Sequence, residues 1–280
     1  MALALRRCAQ VLAPDVPFER FPWEQVRRVH VQAVRAQLLE RHAPATVNKT
    51  LAALRGVVRE ARELGLMPAE EAAKACAVAG VRGERPPAGR ALAAGEVRAL
   101  FSLCQRPTAA AARDAAALAL LYGAGLRRAE VVGLRLEDVG IEEGVVLVRG
   151  KGERQRRVPL PQGANQALAA WLAHRGQSPG PLLLPVRSNG RLLAHRALTE
   201  QAIYHLLRRL GPRAGVAPFS PHDLRRSYIG ELLEAGADLA VVQRLVGHQS
   251  PTTTARYDRR PEAAKVRAVE RLHVPFYESL

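Results

Sequence analysis

The run Gly80-Val-Arg-Gly-Glu-Arg-Pro-Pro-Ala-Gly89 constrains this chain more than any other feature. Its prolines carry no backbone N–H and disfavour helix in the residues before them, and its glycines lower the cost of any local bend. Neither a helix nor a strand runs through such a segment, so it divides the sequence. A domain at 1–80 and a larger one at 94–280 are expected, joined by a basic linker over 81–93.

Both parts read mainly as helix. Aromatic residues make up only 4% of the chain, and alanine and leucine fill the apolar positions, which favours helix over strand. In the first part, Leu3 to Leu12 is amphipathic and Trp23 to Leu39 continues at helical spacing. A third helix starts near Pro44 and carries Leu51, Leu54, Val57 and Val58 on one stripe, ending at Gly65; Glu70 to Val78 gives a fourth. In the second part, helices are expected over Ala94–Cys104 and Ala109–Tyr122, and again from Thr199 onward. Gly144–Gly150 and Arg157–Leu160 are strand-like, and the polar turn between them makes a β-hairpin. The fold class is therefore mainly α with a small antiparallel sheet, in two domains.

Charge limits the partners. Lysine and arginine outnumber aspartate and glutamate 42 to 26, for a formal charge of +16. Residues 1–93 hold 15 basic and 9 acidic side chains, a net of +6, which leaves +10 for the rest, so both parts are basic. A positive field over the whole length suits a polyanion; nucleic acid and an anionic membrane surface both fit. The linker fits a DNA backbone and ordinary solvent equally well. Cys8, Cys76 and Cys104 are scattered and lack metal-ligand spacing, so neither a disulfide framework nor a metal site is expected. No signal-peptide core follows Arg6 and Arg7, and the longest apolar run, Ala115–Leu126, is too short to span a bilayer. A soluble, cytoplasmic protein with no membrane partner is the expectation. Gly123-Ala-Gly125 has Arg128 at the third small position of a dinucleotide fingerprint and a helix before it, and Gly150-Lys-Gly is no phosphate loop. No cofactor is expected.

The chemistry concentrates in residues 220–257. Ser220-Pro221 reads as an N-cap and first helical position, with Asp223 completing a capping-box variant. His222 and Arg225 then share one face of a helix's first turn, beside free N–H groups that suit a phosphate. Alone, such a pair is ordinarily a buried histidine and a surface arginine. Asp238 caps the next helix, which stops at Gly247 with His248 just beyond it. Ser250-Pro251 repeats the cap, and Tyr257 follows; a lone tyrosine there is ordinarily a packing residue.

Taken together, His222-Asp-Leu-Arg225-Arg-Ser, the stretch from Gly236-Ala-Asp-Leu to Gly247-His248, and Thr252-Thr-Thr-Ala-Arg-Tyr257 resemble the C-terminal signature of the tyrosine recombinases, the phage-type integrases. Upstream, Leu121-Tyr-Gly-Ala-Gly-Leu-Arg127-Arg-Ala-Glu130 is similar to that family's first arginine box, and Arg149-Gly-Lys151-Gly-Glu-Arg to its lysine-bearing turn. The resemblance covers about 94–260 in five ordered segments.

It implies a site-specific DNA recombinase, Xer-like or a simple integrase, that closes two domains around a duplex as a clamp. Arg127 and Arg225 would hold the non-bridging oxygens of a phosphodiester, and Tyr257 would attack phosphorus to give a 3′-phosphotyrosyl link. His222 would assist the phenolic proton, Lys151 would protonate the leaving 5′ oxygen, and His248 would hydrogen-bond a non-bridging oxygen. One ester replaces another, so no ATP and no metal is implied. Residues 1–80 resemble the helical core-binding domain, with Thr46, Asn48, Lys49, Arg55 and Arg59 facing DNA. A separate arm-binding domain has no room, and the N-terminus is a little short for the family. Assembly into a tetramer on two sites is implied, with room for a second recombinase, and the basic amphipathic tail 261–280 would dock on a neighbouring protomer or on its own domain. A type IB topoisomerase shares the tyrosine chemistry, and a DNA-binding regulator with a degenerate site shares the fold. Six chemically competent positions argue against the latter.

Overall fold

The computed structural model describes residues 1–83, 89–150 and 155–248, together with Thr254 and Val269. The chain forms two compact units, Met1–Ala88 and Gly89–Leu280.

The first unit holds α1 (Ala2–Leu12), α2 (Arg28–Arg41), α3 (Pro44–Glu63) and α4 (Ala69–Cys76). Its core is built on α3, whose Leu51, Leu54 and Val58 meet Cys8, Val31, Val34 and Ala75. Proline at the first helical position starts α3. At its end, Leu66 N–H donates to the Ala61 carbonyl and Gly65 N–H to that of Arg62, the paired bonds that close a helix through a left-handed residue. The sequence suggests one helix from Trp23 to Leu39; the structure instead has a 3₁₀ turn at Trp23–Gln25 and a fresh start at Arg28. The cause is local. Arg27 is extended, its N–H donates to His30 Nδ1 at 3.0 Å, and its guanidinium holds the Glu24 carbonyl at 2.8 Å. That break turns Val26 into the core.

The second unit opens with α5 (Ala94–Ser102) and α6 (Ala109–Leu118). The expected helix to Tyr122 loses its α geometry at Ala119, where a π-helical turn runs to Gly123. This wider turn delivers the chain to Gly125, which has φ +60° and lies where a β-carbon would overlap the Tyr228 ring. Both constraints call for glycine. Then come α7 (Arg128–Gly133) and a three-stranded antiparallel sheet, β1 (Val139–Gly140), β2 (Val145–Arg149) and β3 (Gln155–Pro159), in the order β1-β2-β3. The hairpin register sets Val146 against Val158 and Val148 against Arg156.

After the sheet follow α8 (Gln162–Arg175), an irregular stretch, α9 (Glu200–Arg213), α10 (Pro221–Glu234) and α11 (Leu239–Val246). Trp171 of α8 is fully buried and donates its indole N–H to Leu182 in that stretch at 2.9 Å. Around it, Leu118, Leu120, Leu121, Leu126, Leu168 and the inward valines of the hairpin form the core. Helices and sheet thus converge on the first turns of α7 and α10 and on the end of α11. Among the described residues, no helix is long and apolar enough to cross a membrane.

Candidate active site

Helix α10 begins as its sequence suggests. Asp223 Oδ2 accepts the Ser220 backbone N–H at 2.9 Å and its hydroxyl at 2.8 Å, which satisfies the first turn and sets His222 and Arg225 in place. Arg225 is 1% exposed, so its charge needs fixed partners. One guanidinium nitrogen donates to the Gly125 carbonyl at 2.5 Å, the other to that of Val246 at 2.6 Å. The π-turn of α6 and the end of α11 therefore hold it from two sides.

Arg127 stands at the start of α7. Its backbone N–H donates to Glu130 Oε2 at 2.8 Å, its Nη1 to Glu130 Oε1 at 3.0 Å, and its Nη2 to the Gly247 carbonyl at 3.1 Å. Arg127, Arg225 and His222 line one cleft of about 480 Å³, with Leu126, Ser220 and Tyr204.

Two further residues, unassigned in the sequence, tie this arrangement together. Glu130 receives a two-pronged bond from Arg156 of β3, 2.9 Å on each oxygen. Burial alone would raise the Glu130 carboxyl; the Arg156 fork and then the Arg127 backbone N–H outweigh it and hold it below its ordinary value. Arg156 also donates its Nε–H to the Leu245 carbonyl at 2.9 Å. Three successive carbonyls at the end of α11, those of Leu245, Val246 and Gly247, thus each accept from a different arginine. A helix's last carbonyls lack partners within the helix and carry its negative end, so they are natural seats for cations. Gly247 has φ +65°, and a β-carbon there would lie 3.0 Å from Arg156 Nη1. The signal for Arg156 was its parity. It alternates with exposed Gln155 and Arg157 and faces the same side as buried Val158.

His248 follows Gly247 directly. It is 9% exposed, its Nδ1 lies 2.9 Å from Thr254 Oγ1, and its carbonyl accepts from the Gln243 side chain at 3.1 Å. Burial, then the charges of Arg225 and Arg127, push its pKa down to about 4. His222 sits at the mouth of the cleft; desolvation of its protein-facing side and then Arg225 and Arg226 hold it below the ordinary imidazole value. Above about pH 6.5 the imidazole is neutral both folded and unfolded, and the fold keeps its full stability with respect to this group. That stability is lost as the pH falls toward about 4. The melting temperature of the protein is expected to drop across this window, and His248→Gln to flatten much of the drop. An identical pH profile in the variant would rule His248 out as the source.

Of the six expected catalytic side chains, Arg127, His222, Arg225 and His248 come together here; Lys151 and Tyr257 lie outside the described residues. The expected DNA-facing residues sit on α3. Lys49 is exposed and Thr46 half-buried. Asn48 uses its amide on the Val81 backbone, donating at 3.0 Å and accepting at 2.8 Å, and Arg55 donates to the Val78 carbonyl. Both therefore hold the segment after α4 against α3. Among the described residues, no group of three His, Cys, Asp or Glu side chains is placed to hold a metal ion.

The model of the phage integrase family matches residues 90–263. The chain is 43% identical to tyrosine recombinase XerD of Mycobacterium tuberculosis (strain ATCC 25618 / H37Rv) over 153 residues, 52% of this chain and 47% of that protein. It thus spans about half the length of the first curated relatives it matches. It is 34% identical to tyrosine recombinase XerC of Azotobacter vinelandii (strain DJ / ATCC BAA-1303) over 238 residues, 83% of this chain and 72% of that one. The fold is similar to that of the Tn1549 transposon integrase solved in complex with transposon right end DNA. The TM-score is 0.70 at 20% identity, covering 96% of this chain and 92% of that one.

Proposed function

Since the chain belongs to the phage integrase family, we propose that it is a site-specific DNA recombinase that cuts and rejoins strands through a tyrosine ester. The observation that carries this reading is the cleft in which Arg127, Arg225 and His222 meet, with the His248 backbone carbonyl held by Gln243 of the helix whose end seats both arginines. Two guanidiniums fixed by backbone carbonyls and Glu130 are preorganised for an anion, and so need no rearrangement as charge grows on phosphorus. Tyr257 is the nucleophile: its oxygen forms a bond to phosphorus while the bond to the 5′ oxygen breaks. The phenolic proton leaves with the help of His222, and the 5′ oxygen takes one from Lys151. A second 5′-hydroxyl reverses the step and joins new strands.

The wider reading is a two-unit clamp on double-stranded DNA, acting in the cytoplasm as a tetramer on two sites, with or without a second recombinase. It is supported by the charge of +16 spread over both units and by relatives named as tyrosine recombinases. In the clamp, Lys49 and Thr46 face the duplex, while Asn48 and Arg55 act through the backbone they hold.

The decisive experiment offers the wild-type protein a library of nicked duplexes with randomised sequence, in which cleavage releases a short fragment and cannot reverse. Covalent complexes surviving detergent, with the nucleotide mapped to Tyr257, are the expected result; no covalent product from any duplex would overturn the proposal. Equilibrium binding to a recovered duplex should weaken with salt, with a log–log slope of about −0.9 for each phosphate neutralised. A flat titration would remove the clamp.

A further inference from the structure

Arg156 has a place in this site that neither its position in a hairpin nor the chemistry above accounts for. Its side chain is 16% exposed and that of Glu130 10%, so the pair is little screened by water. Glu130 lies within reach of both arginines of the cleft, 3.0 Å from Arg127 and 4.0 Å from Arg225. A carboxylate so close to a phosphate clamp is a liability. It cancels one of the two positive charges that the phosphate would otherwise meet, and it repels the phosphate itself. Arg156 spends its whole fork on this carboxylate and its remaining Nε–H on Leu245. With it, the four charges sum to plus two; without it, Arg127, Arg225 and Glu130 sum to plus one.

We infer that Arg156 is a positioning residue for strand cleavage, which neutralises Glu130 and thereby leaves Arg127 and Arg225 their full charge for the scissile phosphate. Three features of the structure carry this. The Arg156 bond to Glu130 is two-pronged, whereas Arg127 reaches the same carboxylate with one side-chain nitrogen. Arg156 shares the α11 terminus with the two clamp arginines, so its loss frees the carbonyl next to theirs. It comes from β3 and lines no part of the cleft, so it acts through Glu130 and not on the DNA. The inference rests on the proposed strand-transfer chemistry, in which phosphorus gains an oxygen from Tyr257 as it loses the 5′ oxygen and its non-bridging oxygens become more negative.

The test compares two linkages in one recovered nicked duplex. One is the natural phosphodiester; in the other a methyl group replaces a non-bridging oxygen, giving a neutral methylphosphonate at the cleaved position. Covalent trapping rates are measured for wild type, Arg156→Gln and Arg156→Lys at saturating protein. A site deprived of positive charge suffers on the charged linkage and is relieved on the neutral one. The ratio of phosphodiester to methylphosphonate rate is expected to fall by about tenfold or more in Arg156→Gln. It should stay near the wild-type value in Arg156→Lys, which keeps the charge. Because the ratio is internal to each protein, a smaller folded fraction lowers both rates together and leaves it unchanged. An unchanged ratio in Arg156→Gln, or an equal fall in Arg156→Lys, would overturn the inference. Absence of wild-type trapping would instead overturn the strand-transfer reading beneath it.

Discussion

Tyr257→Phe should trap no DNA on a nicked duplex that wild type captures, while binding that duplex as tightly. The substitution removes one oxygen, and that oxygen is the atom that would bond to phosphorus. Electrostatic stabilisation by Arg127 and Arg225 survives, yet a clamp without a nucleophile yields no ester. The protein offers one rival within the described cleft. Tyr204 lines it, so Tyr204→Phe is the necessary control and should trap DNA normally. Tyr122 and Tyr228 are poor rivals: the first gives its hydroxyl to Glu231 at 2.6 Å, and the second is buried against Gly125. Burial first, and then the Glu231 carboxylate, raise the Tyr122 phenol above its ordinary value and keep it neutral. Trapping that persists in Tyr257→Phe and vanishes in Tyr204→Phe would move the nucleophile to α9.

Arg225→Ala is the second large effect. Removing one preorganised donor from a charged transition state slows the chemical step by about 10²–10³. Arg225 does more than donate. It is 1% exposed and joins the Gly125 carbonyl to the Val246 carbonyl, so alanine leaves two buried acceptors without that donor. Each such loss costs about 1–3 kcal/mol, and a lower melting temperature should accompany the slower trapping. Lysine is no conservative replacement, because one ammonium cannot reproduce the planar fork that reaches both carbonyls. Arg225→Lys should therefore bind DNA well and still cleave far more slowly than wild type. Cleavage by either variant at the wild-type rate would show that the clamp does not need this guanidinium.

How much of this was legible in the sequence depended on whether the signal was local. The cap at Ser220-Pro221 and Asp223 and the stop at Gly247 each rest on neighbouring residues, and the elements form where those residues put them; the hairpin forms too, with its second strand starting at Gln155, two residues before the expected Arg157. The break at Arg27 was not legible, because apolar residues at helical spacing also suit two segments that meet at an extended residue. The π-turn at Ala119–Gly123 hides for a similar reason, since alanine and leucine fit either geometry. Asn48 and Arg55 stand on a basic helix and so read as contacts for a phosphate backbone. Their bonds to Val81 and Val78 depend on where the chain returns after α4, which spacing along the sequence does not encode. The link through Glu130 and Arg156 was hidden for the same reason. It joins a helix start to a strand, and only the folded chain brings them within 2.9 Å.

The acceptors that seat the three arginines at the end of α11 belong to the main chain. The half-buried side chain at 245 can therefore drift over evolutionary time without disturbing that seat, whereas Val246, fully buried in one cluster with Ile229, Leu233 and Val242, must stay apolar to hold the helix end in place. What selection must protect there is above all a length and a turn: an insertion or deletion of one residue before Gly247 would shift every seat by a register, whereas a change of side chain at 245 would leave each occupied.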